Sequence, residues 1–564
     1  MSPNSWMTNG EGHPRRWAIL GVLVVSLLIV VLDNTVLNIA LPTIQRDLGA
    51  SAGELVWAID SYILAFAALL FTWGALGDRY GRKRILVIGL IIFGIASAAS
   101  AFAETPAQLI AFRAVMGVGG AAVMPTTLAI ITVVFPPHER GKAIGAWAGA
   151  VGAAVALGPV LGGLLLQNPQ WSSWITGNDW GAVFLINVPI VILGLIGVWR
   201  IVPESRDPNP RRLDLIGLAL SVVGLTLLIY GIIHASSTLS WTDPGVVLPM
   251  LAGIAVIGLF LWYEARSDHK SFDVSLFANR GYAISLSAVT LAFFALSGIT
   301  FTLPFYLQIL RGYDTLTAGL CFVPFAVGQI LAAPRSAGMV LKFGYRAVMT
   351  TGLVLVALSL IGLFFVGMTT PIWVVLIVFF VFGFGMGNVI APASTVMQNV
   401  LPLARAGAGS AVQNTVRQVG GALGVAIIGT VLATQYASRV AISLQGLPDQ
   451  VPDDARRAAE NSIVATDALL SGLEQSGAPA TILESVRQSA YDAFLSSAHV
   501  TYLVSITVVL IATALVAFAL PLITPPRKGV AVPADSPIDE RIREEEQDYP
   551  EQLAGEVADD RGQS

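Results

Sequence analysis

The chain's 564 residues are 55% hydrophobic and only 12% charged, with a formal net charge of −4 and a mean hydropathy of +0.73. Soluble domains carry roughly 25% charged residues, so this composition leaves too little polar surface for a water-facing fold, and lipid must be the solvent. The single cysteine, Cys321, excludes an intramolecular disulfide framework and a cysteine-based metal site.

Apolar windows of about 20 residues, long enough to cross ~30 Å of hydrocarbon as helix, recur along the chain. Fourteen are predicted, near 17–41, 55–76, 84–103, 107–131, 141–166, 181–201, 213–234, 245–263, 282–308, 316–340, 347–367, 371–398, 410–434 and 500–523. Closed barrels read as short alternating strands, and these runs do not alternate, so the expected class is an all-α polytopic membrane protein. The first run follows Arg15 and Arg16, lacks a small-residue cleavage site and leads directly into further spans, so it is read as span 1.

Basic residues orient the spans. With the N-terminus inside, the inner loops hold Arg79, Arg82, Lys83, Arg84, Arg140, Lys142, Arg200 and further bases, whereas the outer short loops hold only Arg46 and Arg311. Both termini are therefore expected in the cytoplasm, with residues 1–16 as an N-terminal segment. A weak repeat at an offset of 263 relates GDRYGRKR at 77–84 to VLKFGYRA at 340–347, and Gly158 to Gly421. It divides the chain into one six-helix half over 17–201 and another over 282–523, with two inserted helices at 213–263. Such halves are typical of secondary transporters, which bind substrate between them near mid-membrane. Residues 439–496 form a polar outer segment with room for short amphipathic helices, and 524–564 an acidic tail of disordered composition.

Ionisable groups inside spans are the most informative, since a central Asp or Arg costs about 2.5–3.5 kcal/mol. Span 1 carries Asp33, span 2 Asp60 and span 4 Arg113. Counted from the outer ends at about 1.5 Å per residue, Asp33 lies roughly 12 Å deep and the other two roughly 8 Å, so a cluster is expected. Burial favours a neutral carboxyl group and a nearby guanidinium favours the anion. Asp33 between these influences is read as a proton carrier, with Arg113 tuning it and Asp60 as a second carboxylate or a counter-charge for cationic substrate. A static buried ion pair is the alternative.

In span 5, Gly141, Gly145 and Gly149, and then Gly158 and Gly162, recur every four residues, which permits close helix approach. Gly158 and Pro159 supply a bend, and the stretch reads either as an outer seal or as ordinary packing. Between spans 2 and 3, the loop GALGDRYGRKR from Gly74 to Arg84 holds Asp78, an acid able to latch onto a helix N-terminus of the other half. Asn34 and Asn38 in span 1, and Gln413 and Arg417 in span 13, are candidate cavity-lining groups. Gly420, Gly421 and Gly424 share the face of Gln413 and Arg417. GVGG at Gly117–Gly120 is read as helix packing, and His234 as interfacial. No P-loop, metal-ligand cluster or nucleophile–base constellation is visible. The expectation is a non-enzyme without cofactor, with no nucleic-acid partner, driven by the electrochemical gradient.

Together these segments resemble the drug:proton antiporters of the major facilitator superfamily, in their fourteen-helix branch. LDNTVLNIALP from Leu32, GALGDRYGRKR, the run around Arg113, GPVLGG at Gly158–Gly163 and QNTVRQVGGALGVA from Gln413 carry the resemblance. It implies a multidrug exporter of the cell membrane, acting as a monomer on small molecules and protons. Asp33, Asp60 and Arg113 would couple protons, Asp78, Arg79 and Arg82 would latch the inner gate, and Gly158, Pro159, Gly162 and Gly163 would form the outer-gate helix. Some members with a strong preference for organic cations carry further acids in the second half. None lies securely inside spans 9–14 here, Asp314 reading as an outer-loop residue, so neutral, monocationic and lipid-like cargo stay open. Export of a native metabolite, antibiotic or lipid is the alternative, and a non-transporting sensor a remoter one.

Overall fold

Leucine-, isoleucine- and valine-rich runs without strand alternation form helices, and a computed structural model shows how they assemble. It describes residues 12–206, 214–238, 240–267, 274–399, 406–447, 451–476 and 478–522; residues 1–11 and the predicted tail lie outside them. Among the described residues there are helices and no strand. In chain order they are α1 (Arg16–Leu48), α2 (Ala52–Tyr80), α3 (Arg82–Ala101), α4 (Pro106–Val134), α5 (Pro137–Gln167) and α6 (Ala182–Ile201). Then come α7 (Leu215–Thr238), α8 (Pro244–Arg266), α9 (Arg280–Phe305), α10 (Thr315–Phe364), α11 (Ile372–Asn399) and α12 (Ala406–Leu444). Two short helices, α13 (Asp453–Asn461) and α14 (Ile463–Gln475), precede α15 (Ala480–Ala514).

Among the described residues, twelve stretches are long and apolar enough to cross a membrane, against fourteen predicted windows. The windows 316–340 and 347–367 share the stretch of α10, which turns at Cys321–Phe322 and breaks again at Gly344, where φ is 80°. The window 141–166 lies on α5, a single 31-residue helix of which the described apolar stretch is Leu157–Gln167. Gly141, Gly145 and Gly149 lie where side chains are outside the described set. The bundle is inside-out relative to a soluble protein. Leu193 and Leu248 are about two-thirds exposed, whereas Asp60 and Arg113 are fully buried.

The connections are tight because their residues terminate helices. Gly49 closes α1 in the left-handed conformation at φ 62°. Ser51 and Glu54 then open α2 with a reciprocal capping box. At the other end α2 runs to Tyr80 and only Gly81, at φ 115°, separates it from α3. The predicted loop Gly74–Arg84 is thus mostly helix, a correction that puts Asp78 and Arg79 on the last turn of α2 and Arg82 at the start of α3. Gly344 stands 263 residues after Gly81, so the two helix breaks obey the repeat offset.

Packing repeats as well. α1 packs on α5 and α9 on α12, while α4 takes both α2 and α3 and α11 takes both limbs of α10. Gly158 abuts Thr35 of α1, and Gly421, its counterpart at the offset, abuts Ser297 of α9. α7 and α8 pair with each other, and α7 rests on α2 and α12. The two groups meet at the end marked by Gly49. There Gln308 Nε2 donates to Ile39 O at 2.9 Å, and Thr315 Oγ1 to Gly163 O at 2.9 Å.

Residues 439–496 are largely helical. Arg487 of α15 reaches Glu474 at 3.3 Å and Glu484 at 3.3 Å, and approaches Asp467 at 3.9 Å. Tyr436 of α12 shares a 2.7 Å hydrogen bond with Thr466 of α14. The short helices thereby cap the Gly49 end, beside a small, partly open cavity of about 30 Å³ lined by Gln45, Leu55, Phe301, Tyr436, Ile463 and Phe494 among others.

Candidate functional site

Asp33, in the second half of α1, and Arg113, in the first half of α4, point into the interior shared by α1–α6. Both are buried, and Arg113 Nη1 donates to Asp33 Oδ2. The guanidinium is held from other sides too. Its Nε donates to Ala58 O of α2 at 3.1 Å, and it lies 4.4 Å from the Tyr62 ring centre and 6.0 Å from that of Phe184. Arg113 Nη2 has no hydrogen-bond partner among the described residues.

The other carboxylate oxygen, Oδ1, accepts from Asn187 Nδ2 of α6 at 3.1 Å. The same amide nitrogen donates to Ser97 Oγ of α3 at 3.0 Å, and Ser97 Oγ donates to Phe184 O at 2.8 Å. Glycine makes this convergence possible. A side chain at Gly117 would strike Tyr62 O, and one at Gly120 the Tyr62 hydroxyl, so α2 comes close enough for Tyr62 to lie beside Arg113. Gly119, on the opposite face of α4, seats Phe93 of α3 in the same way.

The expected cluster of three is only partly assembled. Asp60 is fully buried two residues after Ala58, yet neither carboxylate oxygen has a hydrogen-bond partner among the described residues. It stands outside the ion pair. Asn34 and Asn38 turn back onto their own helix, donating to Val30 O at 3.2 Å and Asn34 O at 3.3 Å. In α12, Gln413 Nε2 donates to Ser394 Oγ at 2.8 Å, and half-buried Arg417 lies 5.0 Å from the Phe293 ring centre. Gly420, Gly421 and Gly424 all face α9.

At the Gly81 end, Asp78 Oδ1 accepts from Arg82 Nε at 2.9 Å and Nη2 at 2.7 Å. Arg82 also reaches Ala129 O of α4, and its backbone N donates to Ser205 O beyond α6. Arg79 is exposed beside Tyr80. The partner expected for Asp78 from the other group is absent among the described residues, and residues 400–405 lie outside them. Glu204 binds Lys83 N at 3.1 Å, filling the space a side chain at Gly81 would need.

GPVLGG seats α5 between two neighbours. Gly158 and Gly162 face Thr35 and Val36 of α1, Gly163 faces Thr315, and the Pro159 carbonyl meets Gly319 of α10. The expectation missed Asn187, Ser97 and Tyr62 because it sought charge. The signal was one amide within the apolar run AVFLINVPIVILGLIGV from Ala182.

A buried, charge-balanced pair tied to five helices, inside two packed groups that meet at one end, is the geometry of a carrier rather than of a pore or a soluble binding fold. Residues 23–425 match the model of the Major Facilitator Superfamily, and the chain belongs to that family. It is 34% identical to the multidrug efflux pump LfrA of Mycolicibacterium smegmatis, over 90% of this chain and 96% of that one. It is 33% identical to the probable actinorhodin transporter of Streptomyces coelicolor, over 86% and 83%, and 33% identical to the methyl viologen resistance protein SmvA of Salmonella typhimurium, over 76% and 84%. In fold it is similar to a bacterial homologue of the lysosomal transporter Spinster crystallised facing inward, with a TM-score of 0.61 at 16% identity over 89% of this chain and 98% of that one.

Proposed function

We propose that this chain exports small amphipathic compounds across the cell membrane by alternating access, exchanging them for protons. The observation that carries this reading is the Asp33–Arg113 pair, buried where lipid-embedded charge is expensive and bonded to groups from several helices. Buried pairs are weak stabilisers, so their presence is better explained by work. Relatives named for efflux and resistance support the direction of transport.

Asp33 exchanges a proton when Arg113 moves away. Asp60 holds one while Asp33 is ion-paired, since an isolated buried anion is costly. Asp78, Arg79 and Arg82 brace the gate at the Gly81 end, and Gly158, Pro159, Gly162 and Gly163 let α5 close the Gly49 end. Asn34, Asn38, Gln413 and Arg417 line the path. Counting α5 and the two limbs of α10 separately gives fourteen crossings, as two six-helix halves with α7 and α8 inserted. The Gly81 end and both termini face the cytoplasm, and the monomer is the working unit.

The test is ethidium transport in proteoliposomes under an imposed pH gradient, comparing wild type with Asp33→Asn. Gradient-driven movement lost in the variant at equal insertion supports the reading. Equal pH dependence in both proteins removes Asp33 from it, and absence of gradient-driven transport of any dye favours a sensor. A second reading, export of a native metabolite, antibiotic or lipid, is favoured by the relative named as a probable actinorhodin transporter; competition by extracts of the producing cell distinguishes it.

A further inference from the structure

We propose that Asn187 is a positioning residue that holds one carboxylate oxygen of Asp33 permanently, so that proton exchange is confined to the oxygen that faces Arg113. The inference rests on the proton-carrier reading of Asp33 and adds a residue and a direction to it.

Asn187 begins the long part of α6, just after the turn Ala182–Leu185. It is 2% exposed and 154 residues from Asp33 in sequence. An amide nitrogen has two hydrogens to give, and both are used, one to Asp33 Oδ1 at 3.1 Å and one to Ser97 Oγ at 3.0 Å. Ser97 spends its own hydrogen on Phe184 O at 2.8 Å. The chain of donors therefore runs one way and ends on the carboxylate. It cannot pass a proton along, because an amide N–H is not a relay and every hydrogen is committed. The amide orientation follows from this network: reversed, it would set Asn187 Oδ1 against Asp33 Oδ1, two acceptors facing each other.

Asp33 thus has two unlike sides. Oδ1 is tied to α6 and, through Ser97, to α3, neither of which contributes a charge there. Oδ2 meets Arg113, which also donates to Ala58 O, approaches Met116 Sδ at 4.0 Å and lies against the faces of Tyr62 and Phe184. Among the described residues, the ionisable groups at this site are Arg113 from α4, bonded to Oδ2, and Tyr62 from α2, whose ring lies against the guanidinium. When Arg113 withdraws, Asn187 keeps the carboxylate in place and still offers one donor to the anion. It thereby sets the pH at which the proton leaves.

The experiment measures the pH profile of ethidium efflux in proteoliposomes for wild type, Asn187→Leu, Asn187→Asp and Ser97→Ala. Removing a donor to the charged form disfavours that form, and a hydrogen bond to a charged group corresponds to about one pH unit. The midpoint in Asn187→Leu is expected to move about one unit toward alkaline pH. Asn187→Asp should move it further, because two facing carboxylates cannot both ionise, and Ser97→Ala should move it less. A fall in rate at every pH with an unmoved midpoint overturns the inference and makes Asn187 a packing residue. Should Asn187→Leu fail to insert, an unmoved midpoint in Ser97→Ala together with Asn187→Asp overturns it equally. Failure of the underlying reading looks different: Asp33→Asn would keep the wild-type profile.

Discussion

The two helix groups share a packing scheme but differ sharply in chemistry at matching depth. In α1–α6 the interior holds Asp33, Asp60, Ser97 and Arg113. At the repeat offset of 263 the corresponding residues are Leu296, Val323, Leu360 and Leu376. Gly158 and Gly421, by contrast, keep both their identity and their role of letting one helix approach another. The backbone scaffold is thus repeated, while among the described residues the buried Asp33–Arg113 pair lies on one side and the other buries neutral polar groups such as Ser336, Ser359 and Asn388. The buried acids Asp33 and Asp60 thus lie in the first group, and the second carries half-buried Arg417 beside Phe293.

The largest expected effect comes from breaking the pair on the polar side. Arg113→Leu leaves Asp33 buried without its countercharge and should destabilise the protein by about 3–5 kcal/mol. The double variant Asp33→Leu with Arg113→Leu should recover most of that stability while remaining unable to couple efflux to protons. Thermal unfolding in detergent and proteoliposome efflux read the two halves of this prediction; a double variant as unstable as the single one would contradict it.

Carrying charge to the apolar side is the reciprocal test. Leu296→Asp should cost about 2.5–3.5 kcal/mol, the penalty of an acid at mid-membrane without a partner. It should confer no second proton step, which the proton:ethidium ratio would reveal. Gly163→Ala comes next. Its added methyl group meets the Thr315 backbone, and an overpacked contact costs roughly 1–3 kcal/mol. Closure of the Gly49 end should weaken, raising the labelling of cysteines placed beside Thr315, whereas Gly421→Ala, which meets only the Ser297 side chain, should do less.

The smallest effect is at the rim. Asp314 caps the start of α10, accepting from Thr317 N at 2.9 Å, and the Thr317 donors hold its carboxyl below the usual range. A lowered carboxyl stabilises the fold above its unfolded-state value and loses that contribution as pH falls through its folded one. Asp314→Ala should therefore cost about 1 kcal/mol at neutral pH and become indistinguishable from wild type in acid, as melting curves across pH would show.

Much of the fold was legible because lipid imposes a simple rule: every span must satisfy its own backbone hydrogen bonds, so helices announce themselves as long apolar runs. Asp33 and Arg113 were legible for a related reason, since intramembrane charge is rare and costly. Their partners were not. Asn187 and Ser97 are neutral, and a search for charge passes over them, although the amide of Asn187 interrupts a long apolar run. Asp60 shows the converse limit: matching depth along the helix does not specify the direction in which a side chain points, and it stands outside the pair. Asp78 likewise turned to Arg82, one helical turn away across Gly81, in place of a distant helix end.

By itself, the sequence determined the solvent, the helical class, the repeat and the presence of a buried ion pair, all of which depend on composition and spacing along one dimension. Only the tertiary structure decided which oxygen of Asp33 meets Arg113 and which is tied to Asn187. Those contacts join residues 80 and 154 positions apart, and their geometry depends on how closely glycine lets the helices approach.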